Sequence, residues 1–115
     1  MKLPKDLSYA SLTLVKTATH YEYDLAALVE EKRLILSYGN DICDNIYVFD
    51  EQTTAKFQTR FQSFGDSEKF LWKLRETYVR AGDKAEDTLA RILAYCDRKN
   101  MTYKKYTDVS FDGRE

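Results

Sequence analysis

The side chains that most often carry out catalysis are scarce in this chain. His20 is its single histidine, and Cys43 and Cys96 are its two cysteines. A nucleophilic triad needs a base beside its nucleophile, and a structural zinc site needs four Cys or His ligands at close spacing. No catalytic motif surrounds His20, and the three residues are scattered along the sequence. We therefore predict no catalytic residues, no metal site, no cofactor and no enzymatic activity.

Two acidic residues in the stretch NDICDN offer the next candidates for chemistry. Asp41 and Asp44 stand beside Asn40 and Asn45, and these oxygen-bearing side chains could in principle hold calcium. A calcium loop of the EF-hand type needs oxygen ligands at alternate positions, a central glycine and a terminal glutamate. Because apolar residues interrupt the series and no glycine follows, we interpret the stretch as a polar turn.

Charge is distributed unevenly along a chain whose net charge is only −1. Residues 20–51 contain eight acidic and two basic residues, whereas residues 67–105 contain ten basic and six acidic ones. Patches of opposite sign can steer a protein towards a chosen partner. The acidic region could imitate the phosphates of a nucleic acid. Its candidate partner-binding residues are Glu30, Glu31, Asp41 and Asp44.

The basic region supports an alternative hypothesis, in which the protein binds nucleic acid. Lys84, Arg91 and Arg98 recur every seven residues, which places them along one flank of a helix, about 10 Å apart. Lys104 and Lys105 follow in a predicted strand. Acidic residues at the start of the same helix oppose its docking against phosphates, and a nearly neutral total charge opposes strong non-specific binding.

Trp72 is the last candidate for partner binding. Helical geometry rotates it about 100° from Leu71, onto a flank that it shares with Val79 and that Arg75 and Glu76 border. Tryptophan and arginine are enriched among the residues that dominate binding energy at protein interfaces. A helix between two layers would bury the same flank, so both the core and an interface remain open for Trp72.

Three successive helices are predicted in the second half of the chain, over about residues 52–64, 67–81 and 84–98. The first places Phe57, Phe61 and Phe64 at helical spacing and ends at Gly65. The second has an apolar stripe and ends near Gly82. The third begins with a capping pair, Asp83 and Glu86, and its predicted buried residues are Ala85, Leu89, Ile92 and Cys96.

The first half of the chain is predicted to form strands. Apolar residues alternate at Tyr21, Tyr23, Leu25, Ala27 and Val29, which is the period of a strand. The stretches RLILSYG and NIYVFD could pair across the polar turn, and TYKKYTDVSF is predicted to return to the same sheet. A helix over residues 24–38 is the competing interpretation.

These patterns predict one α+β domain spanning residues 1–115, with an antiparallel sheet covered by three helices; the alternative is a mainly helical domain. No apolar run is long enough to cross a bilayer, and we expect a cytoplasmic protein without membrane contact. The expected function is non-catalytic binding of a host protein or protein–nucleic-acid complex. A virus- or mobile-element-encoded, anti-CRISPR-like inhibitor that acts sterically is a concrete version. It depends only on general likeness in size and composition.

Overall fold

Strands and helices follow one another in the order expected for the α+β prediction. In the computed structural model of this protein, residues 11–16, 24–39 and 45–107 are described. The strands are β1 (Ser11–Val15), β2 (Asp24–Glu30), β3 (Arg33–Gly39), β4 (Asn45–Phe49) and β5 (Tyr103–Thr107). The helices, α1 (Glu51–Phe61), α2 (Ser67–Tyr78) and α3 (Ala85–Arg98), lie between β4 and β5.

The five strands form one antiparallel sheet in chain order, β1-β2-β3-β4-β5. This arrangement confirms the α+β prediction, and residues 24–38 form two strands rather than a helix. The tight turn between β2 and β3 pairs Glu30 with Arg33 and fixes the register of the hairpin. The last strand returns to pair with β4 as expected, with Phe49 opposite Tyr103. Residues 108–111, which the prediction included in this strand, lie outside the described residues.

One face of the sheet packs against all three helices. Because side chains alternate along a strand, residues such as Leu25, Leu34, Leu36 and Phe49 point together towards the helices, and each is fully buried. The opposite face holds a smaller buried cluster, whose members are Leu28, Ile35, Ile46 and Val48, with Tyr106 packed beside them. The helix-facing cluster is therefore the main core.

The first helix ends earlier than the spacing of its phenylalanines predicts. Gln62 adopts the left-handed conformation, with a φ of 54°, and its N–H donates to the carbonyl oxygens of Gln58 and Thr59. The helix therefore stops at Phe61, and the next residues form a connection to α2. Phe64, which the predicted spacing placed in this helix, lies beyond its end, and its side chain is 63% exposed.

The two later helices are closer to their predicted forms. The stripe of α2 is buried, although the helix ends at Tyr78, before Gly82. The capping pair of α3 lies one residue further along than expected: the N–H of Lys84 donates to the Asp87 carboxylate at 2.9 Å. All four residues predicted for the core of α3, including Cys96, are buried.

Two threonines of α1 attach the helix to the sheet. The hydroxyl of Thr54, which is fully buried, accepts a hydrogen bond from the Leu34 N–H at 2.9 Å. It also donates to the Asp50 carbonyl at 2.9 Å. The neighbouring Thr53 hydroxyl donates to the Thr102 carbonyl just before β5, again at 2.9 Å. The start of α1 thus holds both β3 and β5 in place.

Candidate functional site

Of the three side chains first considered for catalysis, His20, Cys43 and Cys96, only Cys96 lies among the described residues. His20 and Cys43 lie outside the described residues. Cys96 is fully buried in the core, and burial raises the pKa of its thiol to about 12. Among the described residues there is no group of three or more His, Cys, Asp or Glu side chains that could hold a metal ion.

Only part of the predicted acidic surface can be located. Asp41 and Asp44 lie outside the described residues. Glu30, at the end of β2, is half-buried, and Glu31 is exposed in the β2–β3 turn. The Glu31 carboxylate pairs with the Arg33 guanidinium at 3.0 Å, where the Glu31 side chain is 73% and the Arg33 side chain 40% exposed. Such exposed pairs are weak, so Glu31 keeps most of its capacity to meet a basic partner.

Exposed aromatic side chains are concentrated in one segment. Among the described residues, the large hydrophobic side chains that are exposed are Phe64, at 63%, and Trp72, at 47%. Phe64 lies in the connection before α2, and Trp72 lies on α2 itself. The guanidinium of Arg75 stands 5.4 Å from the centre of the Trp72 ring, which is within the range of cation–π attraction. Trp72 is therefore a surface residue supported by a neighbouring arginine.

Phe64 forms part of a groove with a volume of about 600 Å³, which we call the hairpin groove. The β2–β3 turn, one side of α1 from Glu51 to Gln58 and the start of α2 form its walls. Its charged lining residues are Glu31, Lys32, Glu51 and Asp66. An approaching partner meets an exposed ring with three carboxylates and one ammonium group close by, so a surface with basic and apolar groups would complement it.

The turn at the edge of the hairpin groove has an unusual backbone. Both of its central residues, Glu31 and Lys32, have positive φ angles, of 51° and 63°. Two-residue hairpin turns of this kind favour Asn-Gly, because other residues are strained by roughly 1–2 kcal/mol each in the left-handed region. The turn therefore presents two charged side chains at a cost in stability. Strain of this kind is common at functional sites.

The five residues of the predicted nucleic-acid surface are not brought together. Lys84 precedes α3 and is exposed, as is Arg98 at its other end. Arg91 points to Asp83 at 2.8 Å and donates to the Tyr78 carbonyl at 2.6 Å. Its hydrogen bonds hold the pKa of the Asp83 carboxyl well below its usual range. Arg91 thus joins α3 to the end of α2.

The two lysines of that set lie on β5, an outer strand of the sheet. Lys105 is on the helix-facing side, where its ammonium group stands 5.6 Å from the centre of the Tyr47 ring. Because alternate residues point to opposite faces, Lys104 belongs to the other face. Lysines on an edge strand also discourage pairing with a second sheet, which gives both residues a structural role.

A different set of basic residues does converge, in a cleft that we call the basic pocket. Its lining residues are Arg60, Phe61 and Gln62 of the α1 end and Lys69, Lys73 and Thr77 of α2, and its volume is about 340 Å³. The Arg60 guanidinium lies 4.6 Å from the centre of the Tyr95 ring and 3.4 Å from the Tyr78 hydroxyl. Burial raises the pKa of Tyr78 to about 12. Its hydroxyl therefore stays neutral and adds no negative charge beside Arg60.

Sequence reasoning missed both the exposed position of Phe64 and the basic pocket. The first depends on where α1 ends, and no glycine or proline marks Gln62 as that point. Part of the basic pocket does have a signal in the sequence. Lys69 and Lys73 are four residues apart, so they lie on one flank of a helix. Nothing local indicates that Arg60 joins them.

No helix in the described part of the chain is long and apolar enough to cross a membrane. Comparison with protein families, with curated proteins and with solved structures found no match for this sequence.

Proposed function

We propose that this protein is a non-catalytic binding protein that contacts another macromolecule through the segment containing Phe64 and Trp72. The supporting observation is that both rings are exposed. Every other large apolar side chain among the described residues is at least partly buried. Aromatic residues supply much of the binding energy at protein interfaces. Exposing two of them in one short segment disfavours solubility unless a partner covers them.

The hairpin groove indicates the chemistry of the partner. Phe64 shares this groove with Glu31, Glu51 and Asp66, so a partner surface with lysine or arginine around an apolar group fits best. Proteins that bind nucleic acids have basic surfaces of this kind. We expect the protein to occupy such a surface on a host protein or protein–nucleic-acid complex in the cytoplasm and to exclude its natural ligand sterically.

A small inhibitor carried by a virus or mobile element, comparable to an anti-CRISPR protein, is the concrete version of this proposal. Size, composition and the acidic region support it. In this version four carboxylates take the place of phosphates, those of Glu30, Glu31, Asp41 and Asp44. The rings of Phe64 and Trp72 add apolar contact beside them.

A capture experiment from the native host tests the aromatic surface. The parent protein, the Phe64→Ser/Trp72→Ser variant and a control variant, Gln52→Ser/Lys56→Ser, are immobilised and incubated with host lysate. The control changes two exposed residues of α1. We expect the parent and the control to retain the same partner and the aromatic variant to lose it while melting at a similar temperature. Equal capture by all three proteins would show that the proposed surface is wrong.

A second variant tests the acidic part of the mechanism once that partner is known. Reversal of Glu30, Glu31, Asp41 and Asp44 to lysine should slow association with a basic partner, and the loss should shrink at high salt. If the protein binds nucleic acid instead, the same reversal should strengthen binding, because it removes repulsion of phosphates. The sign of the change thus separates the two hypotheses.

A further inference from the structure

Among the described residues that line the basic pocket, three are basic and none is acidic. Arg60, Lys69 and Lys73 come from two helices and meet in one cleft. Among the described residues, the carboxylate that pairs with this group is that of Glu76, which lies outside the lining and is 3.8 Å from the Lys73 ammonium group. That pair is exposed and weak. The described residues of the cleft therefore carry a surplus of positive charge.

The arginine in the pocket is held in place before any ligand arrives. Its guanidinium packs 4.6 Å from the centre of the Tyr95 ring and 5.9 Å from that of Tyr78. A second guanidinium, from Arg98, lies 5.6 Å from the same Tyr95 ring. Because the ring restricts the position of Arg60, less conformational freedom is lost when the guanidinium binds an anion. Planar guanidinium groups match the oxygens of phosphate in pairs.

Repulsion among the cations of this region also favours the binding of an anion. Lys69 and Lys73 are four residues apart on α2, where like charges destabilise a helix. Arg60 and Arg98 both approach one ring from different helices. An anion bound in the cleft between Arg60, Lys69 and Lys73 would reduce the repulsion among these three groups. The Gln62 amide also lines the cleft and can donate a further hydrogen bond.

We propose that the basic pocket binds a phosphate group, with Arg60 as the guanidinium ligand and Lys69 and Lys73 as the ammonium ligands. The phosphate could belong to a small phosphorylated molecule or to the backbone of a nucleic acid, since both present the same tetrahedral oxyanion. The site uses neither Phe64 nor Trp72. Phosphate binding at this site can therefore be tested independently of the proposed partner binding.

A titration with pyrophosphate, followed by NMR of the backbone amides at constant ionic strength, tests the site. We expect saturable shifts confined to residues 60–62 and 69–77. The Lys69→Gln/Lys73→Gln variant should bind about 10- to 100-fold more weakly, as expected for the loss of charged hydrogen bonds. The control, Lys104→Gln/Lys105→Gln, removes the same charge from exposed positions on β5 and should bind as the parent does.

Two further measurements sharpen the result. Glu76→Gln frees Lys73 and should tighten binding by roughly two- to fivefold; weaker binding would contradict the role of Lys73.

A second titration uses a short oligothymidylate in place of pyrophosphate. Binding of the oligonucleotide in competition with pyrophosphate identifies a nucleic-acid backbone as ligand, whereas binding of pyrophosphate alone identifies a small phosphorylated molecule. Non-saturable shifts, or equal weakening in both lysine variants, would overturn the proposal.

Discussion

Truncation of Phe61 and of Phe64, which are three residues apart, is expected to have very different effects on stability. Phe61 is 7% exposed, and its ring centre lies 5.9 Å from those of Phe57 and Phe70. Removing a buried phenylalanine ring costs about 3–5 kcal/mol. Phe64 is 63% exposed, and substitutions at exposed positions usually change stability by less than about 0.5 kcal/mol.

Thermal and urea unfolding of Phe61→Ala and Phe64→Ala, followed by circular dichroism, measures the difference. Phe61→Ala should lower the melting temperature by at least about 10 °C, given the enthalpy expected for a chain of this size. Phe64→Ala should melt close to the parent, with an unchanged urea dependence. Equal and large losses in both variants would refute the exposed position of Phe64, and with it the end of α1 at Gln62.

Three other outcomes follow from groups that are buried or hydrogen-bonded in the folded state. Thr54→Val should cost about 1–3 kcal/mol, because the buried Leu34 N–H loses its acceptor, whereas Thr54→Ser should unfold at a higher urea concentration than Thr54→Val. Because the pKa of Asp83 is lowered in the folded state, its contribution to stability should be present above its ordinary pKa of 3.8 and fall away below it; Asp83→Asn should flatten that dependence in acid unfolding curves. Cys96, with its pKa raised to about 12, should resist iodoacetamide at pH of about 8 until urea unfolds the protein. Rapid labelling of Cys96 itself in the native state, distinguished from labelling of Cys43 by peptide mass spectrometry, would contradict its burial.

The fold was largely predictable because its patterns are local. Leu25, Ala27 and Val29 recur at a spacing of two, which identifies a strand, and all three belong to the face that meets the helices. The stripes of α2 and α3 likewise identify their buried faces. The end of α1 was not predictable in the same way. It depends on Gln62 accepting a left-handed conformation, for which glutamine has no special preference.

The candidate binding surfaces were less predictable, because they depend on residues that are distant in sequence. The seven-residue spacing of Lys84, Arg91 and Arg98 is real, but Arg91 turns towards Asp83 and the end of α2. The basic pocket instead joins the end of α1 to one flank of α2. Spacing within a single helix specifies a flank. It cannot specify which neighbouring helix will face that flank.

The position of the three helices between β4 and β5 has a consequence for how the protein folds. The strands β1 to β4 are joined by short connections, whereas the Thr102 hydroxyl and the Asp50 carboxylate that it contacts are 52 residues apart. Closing so long a loop costs more entropy than closing a hairpin. We therefore expect β5 to pair with β4 late, after the helices have packed. Destabilising substitutions in β5 should then mainly accelerate unfolding and leave the folding rate almost unchanged.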